Sequence, residues 1–231
     1  MASDSLPATI AATGAVFFDF DGPICDVFAG LPAHEVAREL SEIVDSYDAD
    51  LGGKARGTDD PMEILRLAPH GGESVLRDVE DALTVAEVAA VKVAGAPVAG
   101  AVAALSAAFA SGRKVAVVSN NSAGCVRGFL AQHDLTHLVH EIVGRAACRP
   151  DLMKPAPYSL LLTAERLSMA PRDCTLIGDS VTDVEAARAA GAMSIGFANK
   201  PHKGLALAEA GADAVVTDMT TVADALASSP R

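Results

Sequence analysis

Two acidic residues one position apart carry the strongest chemical signal in the sequence. Asp19 and Asp21 close the stretch VFFDFDG at residues 16–22, whose β-branched and aromatic start is typical of a short buried strand. Side chains two apart on an extended backbone share a face, so we expect the two carboxylates to converge beyond the strand's carboxyl end. Close carboxylates need a cation between them, and oxygen donors favour Mg²⁺. Taken alone, the stretch is explained equally well by a metal site and by a strand that ends in a solvated acidic turn.

Polar residues also follow the predicted strand Lys114–Ser119. Ser119, Asn120 and Asn121 precede a predicted helix, where a hydroxyl, amides and free backbone N–H groups can bind an oxyanion or a phosphate. An ordinary Ser or Asn helix cap would produce the same pattern. The segment is therefore a candidate phosphate cradle only together with other evidence.

Two further segments complete the candidate set. Asp179 ends another predicted strand, and Asp183, one helical turn later, falls on the same face of the following helix. Such acids can cap a helix and offset its dipole, but two of them around Gly-Asp-Ser are more than a cap requires. Lys154 begins the proline-stiffened turn KPAP at residues 154–157, which suggests a constrained side chain, although a surface lysine is the default interpretation.

The elements that must position these residues alternate between strand and helix after Pro97. Alternation of this kind predicts an α/β fold, with a parallel sheet covered by helices on both faces, and the ligands of such sheets lie beyond the carboxyl ends of the strands. The predicted helices are Pro97–Ser111, Ala123–His133, Pro157–Leu167, Thr182–Ala190, Lys203–Ala210 and Met219–Ala227, and the predicted strands are Lys114–Ser119, Glu141–Val143, Cys174–Ile177, Met193–Phe197 and Ala214–Val216.

The segment between the first strand and residue 92 has helical periodicity and no convincing strand. We expect residues 26–92 to form a small helical domain, inserted into a core made of residues 1–25 and 93–231. Gly52-Gly53 is predicted to interrupt this domain. Its predicted helices are Ala33–Ser46, Pro61–Leu67 and Glu73–Val91.

Composition excludes several classes of function. The 231 residues are 50% hydrophobic and carry a net charge of −12 without a run of Lys or Arg, which argues against general binding to nucleic acid or to an anionic membrane. Four cysteines without C-x-x-C spacing, and a first segment without a basic cluster, predict a cytoplasmic protein. The apolar segment Val93–Ala110 is interrupted by Pro97 and Ser106, so a buried helix entered through Pro97 explains it better than a membrane span.

In their order along the chain, the motifs D-F-D-G, S-N, K-P and G-D-S-x-x-D resemble those of the haloacid dehalogenase superfamily of phosphotransferases. They run from Asp19 to Asp183, and the strand pattern extends the resemblance over nearly the whole chain. The resemblance implies a Rossmann-like three-layer core with a helical cap inserted between the first two motifs. Capped members of the superfamily include phosphatases such as phosphoglycolate phosphatase and sugar phosphate mutases such as β-phosphoglucomutase.

The resemblance also implies a role for each motif residue. Asp19 would be the nucleophile that forms an aspartyl phosphate, and Asp21 would be the general acid and base. The other implied roles are phosphoryl binding by Ser119, Asn120 and Lys154, and Mg²⁺ binding by Asp19, the backbone carbonyl of Asp21 and Asp179, with support from Asp183.

These roles predict a Mg²⁺-dependent phosphatase that hydrolyses a small-molecule phosphomonoester, acting as a monomer or homodimer. An acid at position 21 favours phosphoester chemistry, since the dehalogenases and phosphonate-cleaving members of the superfamily lack it. A sugar phosphomutase with the same residues and a non-catalytic binding module on the same fold are the alternatives. Lys54 and Arg56 are candidate contacts for an anionic leaving group, although a solvated loop explains them as well.

Overall fold

A six-stranded parallel sheet forms the centre of the protein over residues 5–230, which the computed structural model describes. The strands are β1 (Ala15–Phe18), β2 (Lys114–Val118), β3 (Glu141–Val143), β4 (Cys174–Gly178), β5 (Met193–Phe197) and β6 (Ala214–Val216). They lie in the order β3-β2-β1-β4-β5-β6. The predicted α/β fold with a parallel sheet is thus confirmed, and β1 lies between β2 and β4.

Helices cover both faces of this sheet, so its central strands are buried on both sides. All residues of β1 are buried: Val16 and Phe18 face one apolar cluster, and Ala15 and Phe17 face another. This two-sided burial explains the unbroken apolar run before Asp19. The helices are α1 (Ser5–Ala12), α2 (Ala33–Tyr47), α3 (Ala49–Ala55), α4 (Pro61–Leu67), α5 (Glu73–Val93), α6 (Ala101–Ala110), α7 (Ala123–Gln132), α8 (Tyr158–Arg166), α9 (Val181–Ala190), α10 (Lys203–Glu209) and α11 (Met219–Ala227).

Helices α2 to α5 surround an apolar cluster of their own. On α2, Val36, Leu40 and Val44 are buried at intervals of one helical turn, as expected for an amphipathic helix with one inward face. Helix α5 continues past this cluster, and its residues Ala90 and Val91 are buried in the main core. One continuous helix therefore connects the helical segment to the sheet. None of the helices in residues 5–230 combines the length and the apolar character needed to span a membrane.

The prediction that Gly52-Gly53 interrupts the helical segment is wrong, because both glycines lie inside α3. The Asp48 side chain starts this helix by accepting hydrogen bonds from the N–H groups of Asp50 and Leu51. A Cβ atom at Gly52 would lie 2.4 Å from Oδ1 of Asp45 on α2. The glycine thus permits two helices to approach closely, a requirement that local propensity does not reveal.

The expected entry of α6 through Pro97 is also wrong, since this helix begins at Ala101. Gly100, with φ 81°, adopts a left-handed conformation directly before it. The preceding segment is connected to the core instead, where the Val98 N–H donates to the Ile24 carbonyl at 2.9 Å. Pro97 therefore lies in a connection between α5 and α6.

Candidate active site

The predicted motif residues line one cavity at the carboxyl ends of β1, β2 and β4. The cavity has a volume of about 160 Å³. It lies where the strand order reverses around β1, which is where sheets of this topology bind their ligands. Its lining includes Asp19, Asp21, Ser119, Asn120, Lys154, Asp179 and Asp183.

Asp19 extends the pairing of β1 with β4 by one residue. Its N–H donates to the Ile177 carbonyl at 2.8 Å, so the sheet fixes its backbone. Its side chain is buried, and Oδ1 accepts a hydrogen bond from the Phe20 N–H at 2.8 Å. Burial and the nearby carboxylate of Asp183 hold the pKa of Asp19 well above its usual range. A nearby cation lowers this pKa, but not enough to cancel these two effects.

Lys154 places such a cation next to Asp19. Its side chain is 2% exposed, and Nζ lies 2.7 Å from Oδ1 of Asp19 and 2.5 Å from Oδ1 of Asp183. Burial lowers the pKa of Lys154, but the charges of Asp183 and Asp19 more than offset that effect and leave it raised. The lysine of the K-P motif is therefore an ammonium group fixed between two carboxylates.

Asp19, Asp179 and Asp183 form a compact group of carboxylates. One oxygen from each side chain lies within 4.8 Å of the other two. Asp183 is oriented by a capping box at the start of α9, where its Oδ2 accepts hydrogen bonds from the N–H of Ser180 at 3.0 Å and from its hydroxyl at 2.6 Å. Asp183 therefore both caps helix α9 and belongs to the acidic group.

Asp179 has two partners that belong to none of the motifs. Its Oδ2 accepts a hydrogen bond from Nδ2 of Asn199 at 2.9 Å and forms an ion pair with Lys203. Both partners follow β5 and reach the same edge of the sheet as the motif residues. Their position after a strand is the sequence signal that points to them.

Asp21 lines the cavity, but its carboxylate lies outside the compact acidic group. Its Oδ1 accepts a hydrogen bond from the Val27 N–H at 3.0 Å. Burial raises the pKa of Asp21 to about 6, although the Val27 N–H acts in the opposite direction. The regular strand ends at Phe18, so the alternation expected for an extended chain does not continue through Asp21.

Gly22 allows the turn after Asp21 to pass close to Asp179. Its φ is 101°, in a region that side chains rarely adopt. A Cβ atom at this position would lie 2.4 Å from Cγ of Asp179. The glycine of the D-F-D-G motif is thus required both by the backbone conformation and by the close approach of an acidic side chain.

The S-N and K-P motifs are joined by hydrogen bonds. Oδ1 of Asn120 accepts the Lys154 N–H at 2.8 Å, and Nδ2 of Asn120 donates to the Lys154 carbonyl at 3.2 Å. The hydroxyl of Ser119 donates to Oδ1 of Asn121 at 3.1 Å and accepts the Asn121 N–H at 3.0 Å. Ser119 and Asn120 are therefore held in one short loop between β2 and α7.

The charges around the cavity fit a divalent cation. When all four carboxylates of Asp19, Asp21, Asp179 and Asp183 are ionised, they exceed the two ammonium groups of Lys154 and Lys203 by two negative charges. The donors are oxygen atoms, which hard divalent cations prefer. The arrangement can bind such a cation and hold the carboxylate of Asp19 beside it.

Lys54 and Arg56 do not reach this cavity. Lys54 is exposed on α3. Arg56 is half-exposed, and its guanidinium lies 2.8 Å from the carboxylate of Asp45. The structure therefore brings the motif residues together and leaves these two cap candidates apart from them.

Comparison with known proteins identifies the family. The model of the haloacid dehalogenase-like hydrolases matches residues 13–191, which is most of the chain. The phosphoglycolate phosphatase of Salmonella paratyphi A is 32% identical over 122 residues, which cover 53% of this chain and 48% of that protein. The one from Xylella fastidiosa is 52% identical over 42 residues, or 18% of each protein. The chain spans about half the length of the first of these curated relatives.

Solved structures share the fold over nearly the whole chain. A predicted phosphoglycolate phosphatase from Haemophilus somnus has a TM-score of 0.65 at 17% identity, covering 92% of this chain and 97% of that one. A hydrolase of the same family from Deinococcus radiodurans, with bound phosphate and sodium, has a TM-score of 0.60 at 26% identity. The match covers 96% of this chain and 100% of that one. A putative β-phosphoglucomutase from Thermotoga maritima has a TM-score of 0.64 at 26% identity, and the match covers 93% of this chain and 98% of that one. From the family match and the shared fold, the chain belongs to the haloacid dehalogenase-like hydrolase family.

Proposed function

We propose that the protein is a cytoplasmic, Mg²⁺-dependent phosphatase that hydrolyses a small phosphomonoester, with Asp19 as the nucleophile. The observation that carries this proposal is the buried Lys154, whose ammonium group lies within 2.7 Å of both Asp19 and Asp183. A fixed positive charge at the nucleophile favours the approach of an anionic phosphoryl group. The phosphate bound to the Deinococcus radiodurans relative and the phosphatase names of the curated relatives support the same chemistry.

The carboxylate group is the proposed metal site. Asp19, the backbone carbonyl of Asp21 and Asp179 would hold Mg²⁺, and Asp183 would support them. When bound, the ion would offset the repulsion between an anionic phosphoryl group and the carboxylates.

Asp19 forms the new bond in the proposed first step. Its carboxylate attacks phosphorus, the bond between phosphorus and the ester oxygen breaks, and an aspartyl phosphate results. The hydrogen bond from Phe20 and the ion pair with Lys154 both hold Oδ1 of Asp19, which fixes the orientation of the carboxylate before attack. Ser119, Asn120 and Lys154 bind the phosphoryl oxygens and stabilise the charge that shifts between them.

Asp21 moves the proton in both steps. With a pKa of about 6, it can carry a proton to the departing ester oxygen at mildly acidic to neutral pH. It then takes a proton from the water that attacks the aspartyl phosphate, which releases phosphate and restores Asp19. A pKa near the operating pH suits a group that must both donate and accept.

Residues 26–92 act as the cap in this proposal. Met62 on α4 lines the small cavity around Asp19, so the helical segment reaches the reacting groups. A larger adjoining cavity, of about 580 Å³, lies between Asp21 and the helical segment and provides room for a leaving group. A cap over this space excludes water and selects the substrate.

The lining of the larger cavity favours an uncharged or cationic leaving group. It includes Asp59, Asp60 and Glu63 beside Asp21, together with the apolar side chains of Phe28 and Met62, and no basic side chain among the described residues that line it. A carboxylate on the leaving group would lie among like charges. We therefore propose a phosphorylated alcohol or polyol, rather than an anionic leaving group, as the substrate class.

A sugar phosphomutase is the second candidate, supported by the 26% identity to the putative β-phosphoglucomutase of Thermotoga maritima. The same residues would then return the phosphoryl group from Asp19 to a sugar hydroxyl instead of to water. Addition of a catalytic amount of a bisphosphorylated sugar separates the two: it would accelerate isomerisation by a mutase and leave a phosphatase unaffected.

Phosphate release from a panel of phosphomonoesters, with and without Mg²⁺, tests the phosphatase proposal. The native chain is compared with Asp19→Asn, which keeps the shape of the side chain, and with Asp224→Asn, which changes an exposed residue on α11. We expect metal-dependent release that Asp19→Asn abolishes and Asp224→Asn preserves. Full release by folded Asp19→Asn would refute the nucleophile assignment, and no release from any ester by the folded native chain would refute the phosphatase.

A further inference from the structure

A buried ion network outside the motifs joins α5 to the loops after β2 and β3. Arg145, which follows β3, is at its centre, and its side chain is entirely inaccessible. Glu80 and Glu87 are two helical turns apart and therefore on one face of α5. Nη2 of Arg145 lies 2.7 Å from Oε1 of Glu80, and Nη1 lies 2.8 Å from Oε1 of Glu87. A guanidinium group from the core thus binds two carboxylates from the helix that enters the helical segment.

The network extends directly to the loop that carries the S-N motif. Nη1 of Arg145 donates to the Asn120 carbonyl at 2.8 Å. Oε2 of Glu87 accepts the Ser122 N–H at 2.8 Å, and its Oε1 accepts Nδ2 of Asn121 at 3.2 Å. Three consecutive residues of the loop are therefore held by one glutamate and one arginine.

Ser119 is connected to Glu87 through a single side chain. The amide of Asn121 donates to Glu87 through Nδ2 and accepts the hydroxyl of Ser119 through Oδ1. An orientation of Asn121 that satisfies the glutamate thus also fixes the hydroxyl that is proposed to bind phosphate. On the other side of the loop, Arg66 of α4 donates to the Lys154 carbonyl at 3.0 Å, where Asn120 also donates.

The role of this network is better explained by the positioning of the loop than by a contribution to the stability of the fold. Buried ion pairs recover little more than the cost of removing their charges from water, so apolar side chains would stabilise the fold as well. The network holds two carboxylates for one guanidinium, and Glu87 is completely buried. Its remaining hydrogen bonds come from the loop, because a buried charge must have partners. Helix α5 and the loop therefore constrain each other's positions.

We propose that Glu87 and Arg145 are positioning residues for phosphoryl binding: they fix residues 119–122 so that Ser119 and Asn120 point into the cavity. The inference rests on the proposed function, because it assigns these two residues to the phosphate cradle of that site. Neither residue touches the substrate; Glu87 acts through Asn121 and Ser119, and Arg145 acts through the backbone of Asn120.

Binding of orthophosphate to the full chain in the presence of Mg²⁺, measured by calorimetry, tests this role without requiring turnover. Glu87→Gln keeps the shape of the side chain and leaves Arg145 paired with Glu80, so the core retains a balanced pair. Glu39→Gln, an exposed substitution on α2, is the matched control. We expect Glu87→Gln to raise the Kd for phosphate about tenfold per folded molecule, and to raise the KM of the best ester by a similar factor.

Asn121→Ala provides a second test that leaves the ion pairs in place. It removes the hydrogen-bonded link between Glu87 and Ser119, and we expect a similar increase in the Kd for phosphate. If Glu87→Gln does not fold, Asn121→Ala alone tests the positioning role. An unchanged Kd in folded Asn121→Ala, or in folded Glu87→Gln, would overturn the positioning role. A native chain that binds phosphate but hydrolyses no ester would refute the phosphatase instead, so the two failures are distinguishable.

Discussion

Nζ of Lys154 lies 2.7 Å from Oδ1 of Asp19, and this ion pair joins two motifs that are far apart in the sequence. The lysine arrives from the loop before α8, whereas the aspartate continues β1. Both side chains are buried, so the attraction between them is weakly screened by water. The pair therefore lowers the pKa of Asp19 and offsets part of the increase that burial and Asp183 cause.

Replacement of Lys154 by Met is expected to lower kcat/KM by roughly 10²–10³-fold, because it removes the charge that holds Asp19 and the phosphoryl oxygens. Methionine retains the length and the apolar part of the side chain. Phosphate release at saturating Mg²⁺ is the measurement, corrected for the folded fraction by circular dichroism. Lys114→Met, at the exposed start of β2, is the control and should leave kcat/KM unchanged. Activity within a factor of about three of the native value in Lys154→Met would contradict the assigned role.

The metal-free protein is expected to lose stability as the pH rises through about 6. Burial raises the pKa of Asp21 to about 6, so its protonated form stabilises the folded state at low pH, and this contribution is lost as the group ionises. The loss attributable to Asp21 is up to about 3 kcal/mol between pH 4 and pH 7. Urea unfolding of the native chain and of Asp21→Asn at both pH values, with EDTA present, measures it.

The difference between these two proteins isolates Asp21 from other titrating groups. We expect Asp21→Asn to gain stability relative to the native chain as the pH rises. Mg²⁺ should stabilise the native chain more at pH 7 than at pH 5, because protons compete with the ion for the carboxylates. Parallel pH profiles for the native chain and Asp21→Asn would show that the environment of Asp21 is not as described.

Gly22→Ala is expected to weaken metal binding and activity strongly, because the new Cβ would lie 2.4 Å from Cγ of Asp179 at a φ of 101°. The turn or the carboxylate must move, and either movement disturbs the acidic group. Gly53→Ala is the matched control, since nothing lies within 4 Å of a Cβ there. On α3 this change should raise the free energy of unfolding by about 0.5–1 kcal/mol. Mg²⁺ affinity from thermal shifts measures the first effect, and equal affinities in the two variants would argue against it.

The sheet and the motif site follow from local sequence signals, whereas contacts between distant segments do not. Apolar runs followed by polar residues predict where the strands end, and the parallel topology then brings Asp19, Ser119 and Asp179 to one edge. Helix α3 packs closely against α2 at Gly52, and the local sequence around this glycine does not reveal that contact. Arg145 has no recognisable motif, because its partners lie on a helix much earlier in the chain.

The acidic lining of the larger cavity predicts discrimination by substrate charge. Asp59 and Glu63 line the space beside Asp21, and Glu63 accepts a hydrogen bond from the Thr58 hydroxyl, which holds its carboxylate at the cavity. We expect kcat/KM for 2-phosphoglycolate to be at least about tenfold lower than for 2-hydroxyethyl phosphate, an ester of similar size whose leaving alcohol is uncharged. The carboxylate of the glycolate leaving group would be repelled by the carboxylates that line the cavity. Higher ionic strength should reduce the difference.

The double variant Asp59→Asn/Glu63→Gln should narrow this preference by increasing activity toward 2-phosphoglycolate. Its activity toward 2-hydroxyethyl phosphate should change little, because that leaving group carries no charge for the two carboxylates to repel. Glu39→Gln, which removes an exposed charge from α2 outside this cavity, should preserve the native ratio. Steady-state kinetics on both esters give the ratio directly. A native preference for 2-phosphoglycolate would place a compensating positive charge at the cavity and refute the proposed substrate class, while leaving the assignment of Asp19 and Lys154 intact.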